Sequence, residues 1–276
     1  MTTAVLDSRT TRRPAPEPRF PDLLRSERTK LASLRSTWWA MGAMVVLALG
    51  INIVFASLMS ANWKTLSADD LTQFRDNTVG LVLQPGAAWG QVAACILGVM
   101  LMASEFSTGM VRATMLATPR RTPVLAAKAL VFAGLLFVLG ELIAIPSVLV
   151  GSHIVGAHAP LSITDPSTVR AVLGFGVYVA LLGVFALGVG TIVRHPAAAI
   201  SAVVAVQFVL PGALGAVPGS AFHHIVAALP ANAVELMGSG NHTGNLYSPL
   251  QSLLILVGWA AAGLLVAAVT LKKRDV

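Results

Sequence analysis

Six apolar stretches, each long enough to cross a lipid bilayer, constrain this sequence more than any other feature. A transmembrane helix needs about 20 apolar residues, with a lower limit near 17. Because a segment in lipid must satisfy its own backbone hydrogen bonds, the stretches predict an all-α integral membrane protein with six transmembrane helices. The stretches run from about 38 to 60, 87 to 103, 129 to 151, 171 to 193, 197 to 214 and 250 to 271.

Positive charges alternate with these stretches and predict the orientation of the chain. Of the 19 Lys and Arg residues, only Lys64, Arg75 and Arg170 fall outside when both termini are placed in the cytoplasm. Cytoplasmic segments of membrane proteins carry an excess of Lys and Arg, so we expect both the N-terminus and the C-terminus inside.

The composition excludes an ordinary soluble domain. Only 11% of the residues are charged and the mean hydropathy is +0.77, whereas a soluble domain carries roughly 25% charged residues. The net charge of +7 does not predict nucleic-acid binding, because the basic residues gather at the ends of the stretches and no recognition motif accompanies them. Membrane lipid is the partner that this charge pattern favours.

The N-terminal part divides into two segments. Residues 1–19 are polar and rich in proline and predict a disordered cytoplasmic tail. Residues 20–37 are too charged to cross, and their apolar side chains share one helical face, which predicts an amphipathic helix at the inner membrane surface. Glu27 lies within that apolar face, so it either has a basic partner or is solvated at the edge of the helix.

A long semi-apolar region separates the fifth and sixth stretches. Residues 215–249 contain two short helical pieces, near 220–229 and 231–237, which are divided by Pro230. Each piece is too short to cross a bilayer, so we expect a re-entrant or surface-lying helical pair.

The segment from 105 to 121 joins the second and third apolar stretches. An acid stands at its start and a glycine that can break the helix follows, and the arginines face the cytoplasm. Such a segment can be a short helix that a soluble partner pushes, or a charged loop that only sets the topology. The residues on which both interpretations depend are Glu105, Gly109, Arg112, Arg120 and Arg121.

Two motifs resemble those of ABC-2-type transporter permeases. The run SEFSTGMVRATMLATPRRTPVLAAK is similar to the E-[YF]-x-x-G-[TM]-[IV]-R-x-x-L-x-x-P-x-R loop of that family, although Met110 stands where many members carry Thr. The opening LLRSERTKLASLRSTWW is similar to the start of actinobacterial members. The resemblance implies that 20–37 is the connecting helix, that 38–276 is a six-span ABC-2-type transmembrane domain, and that 105–121 is a coupling helix. The connecting-helix residues are Glu27, Arg28 and Lys30.

The same resemblance implies partners and a location. ABC-2-type permeases work with two ATP-binding subunits and a second copy of the permease or a homologous one, in the bacterial plasma membrane, commonly as exporters. No G-x-x-x-x-G-K-[ST] motif occurs in this chain, and no lysine follows a glycine. We therefore expect no enzyme activity and no cofactor in this chain, with ATP and Mg bound by the partner subunit.

Polar residues within the apolar stretches are candidates for a substrate path. A charge near the middle of a membrane costs roughly 2.5–3.5 kcal/mol, so Glu141 lines a wet path or is neutral and bonded to backbone opened by Pro146. Gln91 and Gln207 either contact a substrate or bond within the bundle. The fourth stretch also carries small residues roughly on one face, Gly176, Ala180, Gly183 and Gly190, which either form a helix-packing face or reflect the abundance of glycine in membrane helices.

Two other classes of function remain open from the residues. One is an ATP-independent secondary transporter or channel in which Glu141 is the proton or ion site, and the other is a membrane anchor or sensor that transports nothing. A metal site is not predicted, because His223 and His224 are adjacent and point to different faces of a helix. A catalytic residue set is not predicted either.

Overall fold

The computed structural model describes residues 19–33, 35–111, 114, 121–159, 161–237 and 246–273. Short 3-10 segments occupy Trp63–Thr65 and Pro230–Met237, and no β-strand occurs within these ranges. The helices are α1 (Phe20–Ser33), α2 (Arg35–Ala61), α3 (Ala68–Asp76), α4 (Thr78–Ser107), α5 (Arg121–Val155), α6 (Pro166–Val193), α7 (Pro196–Gly215), α8 (Ser220–Ala227) and α9 (Pro249–Lys273).

Six of these helices, α2, α4, α5, α6, α7 and α9, are long and apolar enough to cross a membrane. The shortest is α7 with 20 residues, which at 1.5 Å per residue is about 30 Å long and matches the hydrocarbon thickness of a bilayer. The prediction of an all-helical chain with six membrane-length helices is confirmed, and the chain is a multi-pass membrane protein in its architecture.

The second spanning helix is longer than predicted. The sequence predicts a short span over 87–103, whereas α4 begins at Thr78 and ends at Ser107. Pro85 lies inside the helix, and together with Gly86 it resembles the end of a loop in the sequence. Proline removes a backbone donor and disturbs the preceding turn, and in α4 a side chain of another helix bonds the backbone beside Pro85.

That other helix is α2, which contributes a buried asparagine. The Asn52 Oδ1 accepts a hydrogen bond from the Gly86 N–H at 2.6 Å, and its Nδ2 donates to the Ser147 Oγ of α5 at 2.9 Å. Asn52 is fully buried, and a Cβ added to Gly86 would stand 2.4 Å from its Nδ2. We call Asn52, Gly86 and Ser147 the polar brace, since they join α2, α4 and α5 inside the apolar bundle.

Helix α6 lies at the centre of the bundle and contacts α4, α5 and α9. The sequence predicts a single packing face of small residues, but the glycines of α6 approach three different helices. In each of three glycine pairs, a Cβ built on the first member would stand less than 3 Å from the backbone of the second, so each pair brings two helices into close contact. The pairs are Gly98 with Gly183, Gly140 with Gly176, and Gly188 with Gly263.

The connection between α2 and α4 packs against the last turn of α5. Trp63 stacks on His158 with ring centroids 4.9 Å apart, and Phe74 of α3 meets the edge of the Trp63 ring. Phe74 is fully buried in this small cluster. The ion pairs described below lie at one end of the bundle. We call the end with Trp63 and Phe74 the opposite end.

The two short helical pieces predicted between the fifth and sixth stretches are present as α8 and the 3-10 segment Pro230–Met237. The Asn232 side chain donates to the Val226 carbonyl at 2.6 Å, which closes the turn between them. The Trp259 Nε1 of α9 donates to the Ala228 carbonyl at 2.9 Å, so the pair is fastened to the last spanning helix.

Candidate functional site

Four charged side chains meet where α1, α4 and α5 come together. The Lys128 Nζ lies 2.6 Å from the Glu27 Oε2 and 2.7 Å from the Glu105 Oε1. The Lys30 Nζ lies 2.7 Å from the Glu27 Oε1 and 3.6 Å from the Glu105 Oε1. These residues form what we call the charged cluster, and with two acids and two bases it carries no net charge.

Burial makes the charged cluster energetically important. The side chains of Lys128 and Glu27 are 2% and 3% exposed, while Glu105 is 11% exposed. Removing one partner of a buried ion pair typically costs 3–5 kcal/mol because the other charge is left uncompensated. The prediction that Glu27 has a basic partner is confirmed, and it has two.

Apolar contacts hold α1 against α5 beside these charges. Leu23 is buried against Val124 and Ala127 of α5, one turn of α1 before Glu27. Leu23 and Glu27 of α1 therefore both face α5, one turn apart. This agrees with the single buried face of an amphipathic helix.

The pKa values of the two α1 groups follow from these contacts. Burial raises the pKa of Glu27, but the charges and hydrogen bonds of Lys128 and Lys30 outweigh it, so the pKa lies below its usual value. Burial lowers the pKa of Lys30, yet Glu27 and Glu105 outweigh that effect and raise the pKa above its usual value. Both groups are ionised at neutral pH.

Two arginines fasten further helices to the same end. The Arg121 Nη1 donates to the Leu271 carbonyl. This is one of the last carbonyls of α9, and such carbonyls have no N–H partner within their own helix. Arg194 follows α6 in the left-handed conformation, with φ of 61°, and its guanidinium lies 5.0 Å from the centre of the Phe106 ring. The residue after Glu105 thus contacts the turn between α6 and α7.

The predicted coupling segment is described at 105–111, 114 and 121, and residues 110, 111 and 114 are helical. Glu105 belongs to the last turns of α4 and Arg121 begins α5, so both lie on spanning helices rather than on a separate helix. Gly109 has a φ of +71°, which a glycine adopts readily, and it follows the end of α4. Arg112 and Arg120 lie outside the described residues, as does the predicted tail up to residue 18.

The remaining residues of the predicted connecting helix differ in their roles. Lys30 belongs to the charged cluster, whereas Arg28 is exposed and has no carboxylate partner in the described part of the chain. The helix itself ends at Ser33 and α2 begins at Arg35, so the predicted 20–37 segment is divided between two helices.

Lys128 is the site residue that sequence reasoning missed. The charge pattern predicts only a cytoplasmic position for it, yet it is buried two turns inside α5. The signal was present in the sequence, since an isolated lysine between LAA and ALV must have an acid partner if it is buried. The partners are 101 and 23 residues away, and only the fold brings them together.

Glu141 lies near the middle of α5, against α6. A Cβ added to Gly176 would stand 2.3 Å from its Oε1, so the carboxyl group occupies the space that this glycine leaves. The Oε1 atom is buried and has no hydrogen-bond partner among the described residues. The predicted bond from this oxygen to nearby backbone is therefore not formed.

Gln91 is bonded within the bundle. The Tyr178 hydroxyl lies 2.6 Å from the Gln91 Oε1 and 3.2 Å from the Ala231 carbonyl. The phenol hydroxyl is the donor in both contacts and shares its one hydrogen between the Gln91 Oε1 and the Ala231 carbonyl. This contact ties α4 and α6 to the 3-10 segment between α8 and α9.

Gln207 of α7 lies in a crevice that Val92 and Cys95 of α4 also line. It is 2% exposed, and the polar group that faces its amide within the described ranges is the Cys95 thiol. It belongs to a π-helical turn of α7, Ala205–Val209, and such turns are frequent at functional sites. Glu141 packs at the contact between α5 and α6, whereas Gln207 faces α4, so the structure does not join them in one path.

The charged cluster is the arrangement with the clearest mechanical capacity. It ties the last turns of α4 to α1 and to α5, so a displacement of α4 at this end carries both neighbours along or separates buried charges.

No protein-family model matches this chain, and a comparison with curated proteins also gives no match.

Proposed function

We propose that this chain is the membrane-spanning subunit of an ATP-driven transporter of the ABC-2 type, acting as an exporter in the bacterial plasma membrane. In this proposal both termini are cytoplasmic, α1 lies at the inner interface as the connecting helix, and 105–121 is the coupling segment. Two separate ATP-binding subunits supply ATP and Mg. A second copy of the chain, or a homologous permease, completes the pathway.

The observation that carries the proposal is the position of Lys128 between two acids. One acid, Glu27, belongs to the first motif that resembles the family, and the other, Glu105, belongs to the second. The two motifs are far apart in the sequence but meet at one buried lysine. That meeting supports a common mechanical role for the two segments.

The mechanism follows from the rigidity of this junction. ATP binding closes the partner subunits and displaces 105–121, and Glu105 transmits the displacement to α4. Since separating a buried ion pair costs several kcal/mol, α1 and α5 move with α4. The seam between two permease copies then opens outward, provided that the partner contacts differ between the two states.

Reconstitution with a candidate ATPase encoded by a neighbouring gene tests this function. The Arg112→Ala variant is expected to lower ATP-dependent transport about tenfold, which corresponds to about 1.4 kcal/mol of lost differential contact. Arg75→Ala, on the exposed surface of α3, is the matched control and should leave transport unchanged. Equal ATP hydrolysis and transport in wild type and Arg112→Ala would contradict the proposal.

A second candidate function, a secondary transporter or channel, is favoured by Glu141 alone. Its buried Oε1 has no partner among the described residues, as a proton or ion site would require. Vesicles that contain only this chain distinguish the two functions. A proton-driven or ion flux without nucleotide, abolished by Glu141→Gln, would establish the second candidate and exclude the first.

A further inference from the structure

An open groove lies between α1, the start of α2 and the first half of α5. It encloses about 470 Å³, within the roughly 300–1,000 Å³ of pockets that hold a small ligand. Residues from all three helices line it, among them Arg28, Leu31, Trp38, Leu130, Gly134 and Val138. Among its described lining residues, Arg28 is the charged one and the others are apolar.

The groove has the depth of one leaflet of a bilayer. Leu130 and Val138 are eight residues apart on α5, which is about 12 Å along the helix. Half of the hydrocarbon core is about 15 Å thick. Glu27 pairs with Lys128, which lies two residues before Leu130 on α5. Arg28 is adjacent to Glu27 in the chain, so the Arg28 guanidinium lies at the end of the groove that is near the charged cluster.

The walls and floor of the groove are preformed. The Trp38 Nε1 donates to the Ala32 carbonyl at 3.1 Å, which fixes the corner between α1 and α2. The floor is open at Gly134, since no atom lies within 4 Å of a Cβ built there. An acyl chain can therefore lie along α5 at Gly134 without displacing a side chain.

We propose that this groove binds one anionic phospholipid, with its phosphate on Arg28 and one acyl chain along Gly134. A guanidinium forms paired hydrogen bonds with phosphate oxygens, and Arg28 has no acid partner in the described part of the chain. A headgroup without a cation of its own is preferred, because an ammonium group would compete with Arg28. Tryptophan at the mouth of the groove suits the headgroup level.

A second copy of the chain fits the groove less well than a lipid. In a two-fold interface each copy would present the same surface, and the described lining contains no acid to pair with Arg28. Two arginines would then be buried without partners, which is costly. The lipid supplies the missing negative charge and the apolar chain together.

Native mass spectrometry of the full chain in dodecyl maltoside tests the proposal. The protein is titrated with palmitoyl-oleoyl phosphatidylglycerol or with the matching phosphatidylcholine. We expect one retained phosphatidylglycerol per chain. Arg28→Gln should reduce the preference for phosphatidylglycerol over phosphatidylcholine about fivefold, as expected for one cation at an anionic lipid surface.

Gly134→Phe fills the groove and should abolish retention of both lipids. Gly258→Phe is the control, since Gly258 is exposed on α9 and also has open space at its Cβ. Circular dichroism checks that both variants keep their helices. If Gly134→Phe fails to fold, Arg28→Gln alone still decides, because this exposed substitution changes no packing.

Several results would overturn the proposal. These are equal retention of the two lipids by wild type, unchanged preference in Arg28→Gln, and unchanged retention in a folded Gly134→Phe. Displacement of the lipid by millimolar inorganic phosphate would indicate a free-anion site instead. A dimer that persists without lipid and is lost in Gly134→Phe would indicate a protein interface. None of these readouts depends on an ATPase, so the proposed transport function stands or falls separately.

Discussion

The charged cluster and the polar brace join nearly the same helices with different chemistry. The cluster links α1, α4 and α5 through two acidic and two basic side chains at one end of the bundle, and the brace links α2, α4 and α5 through an amide and a hydroxyl. The cluster lies at the ends of apolar helices, where Lys30 still reaches solvent. The brace lies among buried apolar residues, where a charge would cost roughly 2.5–3.5 kcal/mol.

The difference teaches how the cost of polar burial depends on position. Near the end of the helices, opposite charges compensate each other and hold a precise distance. Farther inside, neutral groups repair a backbone that Pro85 disturbs. We therefore expect substitutions in the cluster to cost more than substitutions in the brace, and the following experiments test that order.

The largest effect is expected for Lys128→Met. It leaves Glu27 and Glu105 buried without their shared cation, so the free energy of unfolding should fall by about 3–5 kcal/mol. Unfolding of the purified chain in mixed detergent micelles measures this loss. Lys64→Met, on the exposed opposite end, is the control and should change stability by less than about 0.5 kcal/mol.

A second substitution sharpens this result. The double variant Glu27→Gln with Lys128→Met removes one acid with the base and leaves Lys30 and Glu105 as a pair 3.6 Å apart. It should be more stable than Lys128→Met alone. A double variant that is less stable than the single one would show that the lysine stabilises the protein by packing rather than by charge.

Asn52→Leu comes next. The substitution leaves the Gly86 N–H without its acceptor and Ser147 without its donor, so we expect a loss of about 1–3 kcal/mol in the same unfolding measurement. Asn62→Leu is the matched control, because Asn62 is exposed beyond the end of α2 and its side chain loses only one solvent-exposed hydrogen bond, to the Leu58 carbonyl. An Asn52 variant as stable as the Asn62 variant would mean that α4 does not need the brace.

Acid should loosen α1 while leaving the brace intact. Glu27 has a lowered pKa, so its contribution is present above its ordinary value of 4.5 and is lost as pH falls through the lower folded pKa. Lys30 has a raised pKa, so its contribution is lost only as pH rises above 10.5. Glu27 faces Lys30 and Lys128, and Glu105 completes the set of charges around it.

Hydrogen exchange of the α1 amides, corrected for the intrinsic pH dependence of exchange, measures this loosening. Protection should be constant between about pH 5 and pH 10 and should decrease on either side. In Glu27→Gln the decrease on the acid side should disappear. A change of protection near neutral pH would be inconsistent with these pKa directions.

The smallest effect is expected for Ser147→Ala. Side-chain hydrogen bonds between membrane helices contribute about 0.6 kcal/mol on average, and Asn52 keeps its bond to Gly86 in this variant. The unfolding free energy should fall by about that amount. A loss larger than that of Asn52→Leu would show that the hydroxyl, not the amide, is the important member of the brace.

The sequence was sufficient for the features that depend on local pattern. Hydropathy predicted six spanning helices, and the apolar face of 20–37 predicted α1, with a basic partner as one of two alternatives for Glu27. Pro230 divided the region before α9 as expected. In each case the information lies within one or a few helical turns.

The features that depend on distant partners were not predictable. The start of α4 was misplaced because Pro85 and Gly86 are typical of a helix boundary, and the amide that bonds this backbone, Asn52, is 34 residues from Gly86. Lys128 was missed for the same reason. The glycines of α6 were recognised as packing residues, but their three directions follow only from where the neighbouring helices stand.

The central position of α6 has a consequence for how the protein is made. Helices α4 and α5 precede α6 in synthesis, and their glycine contacts are available as soon as α6 enters the membrane. Gly188 meets Gly263, which the ribosome adds much later. The flank of α6 that carries Gly188 therefore gains its glycine partner only after α9 has been synthesised.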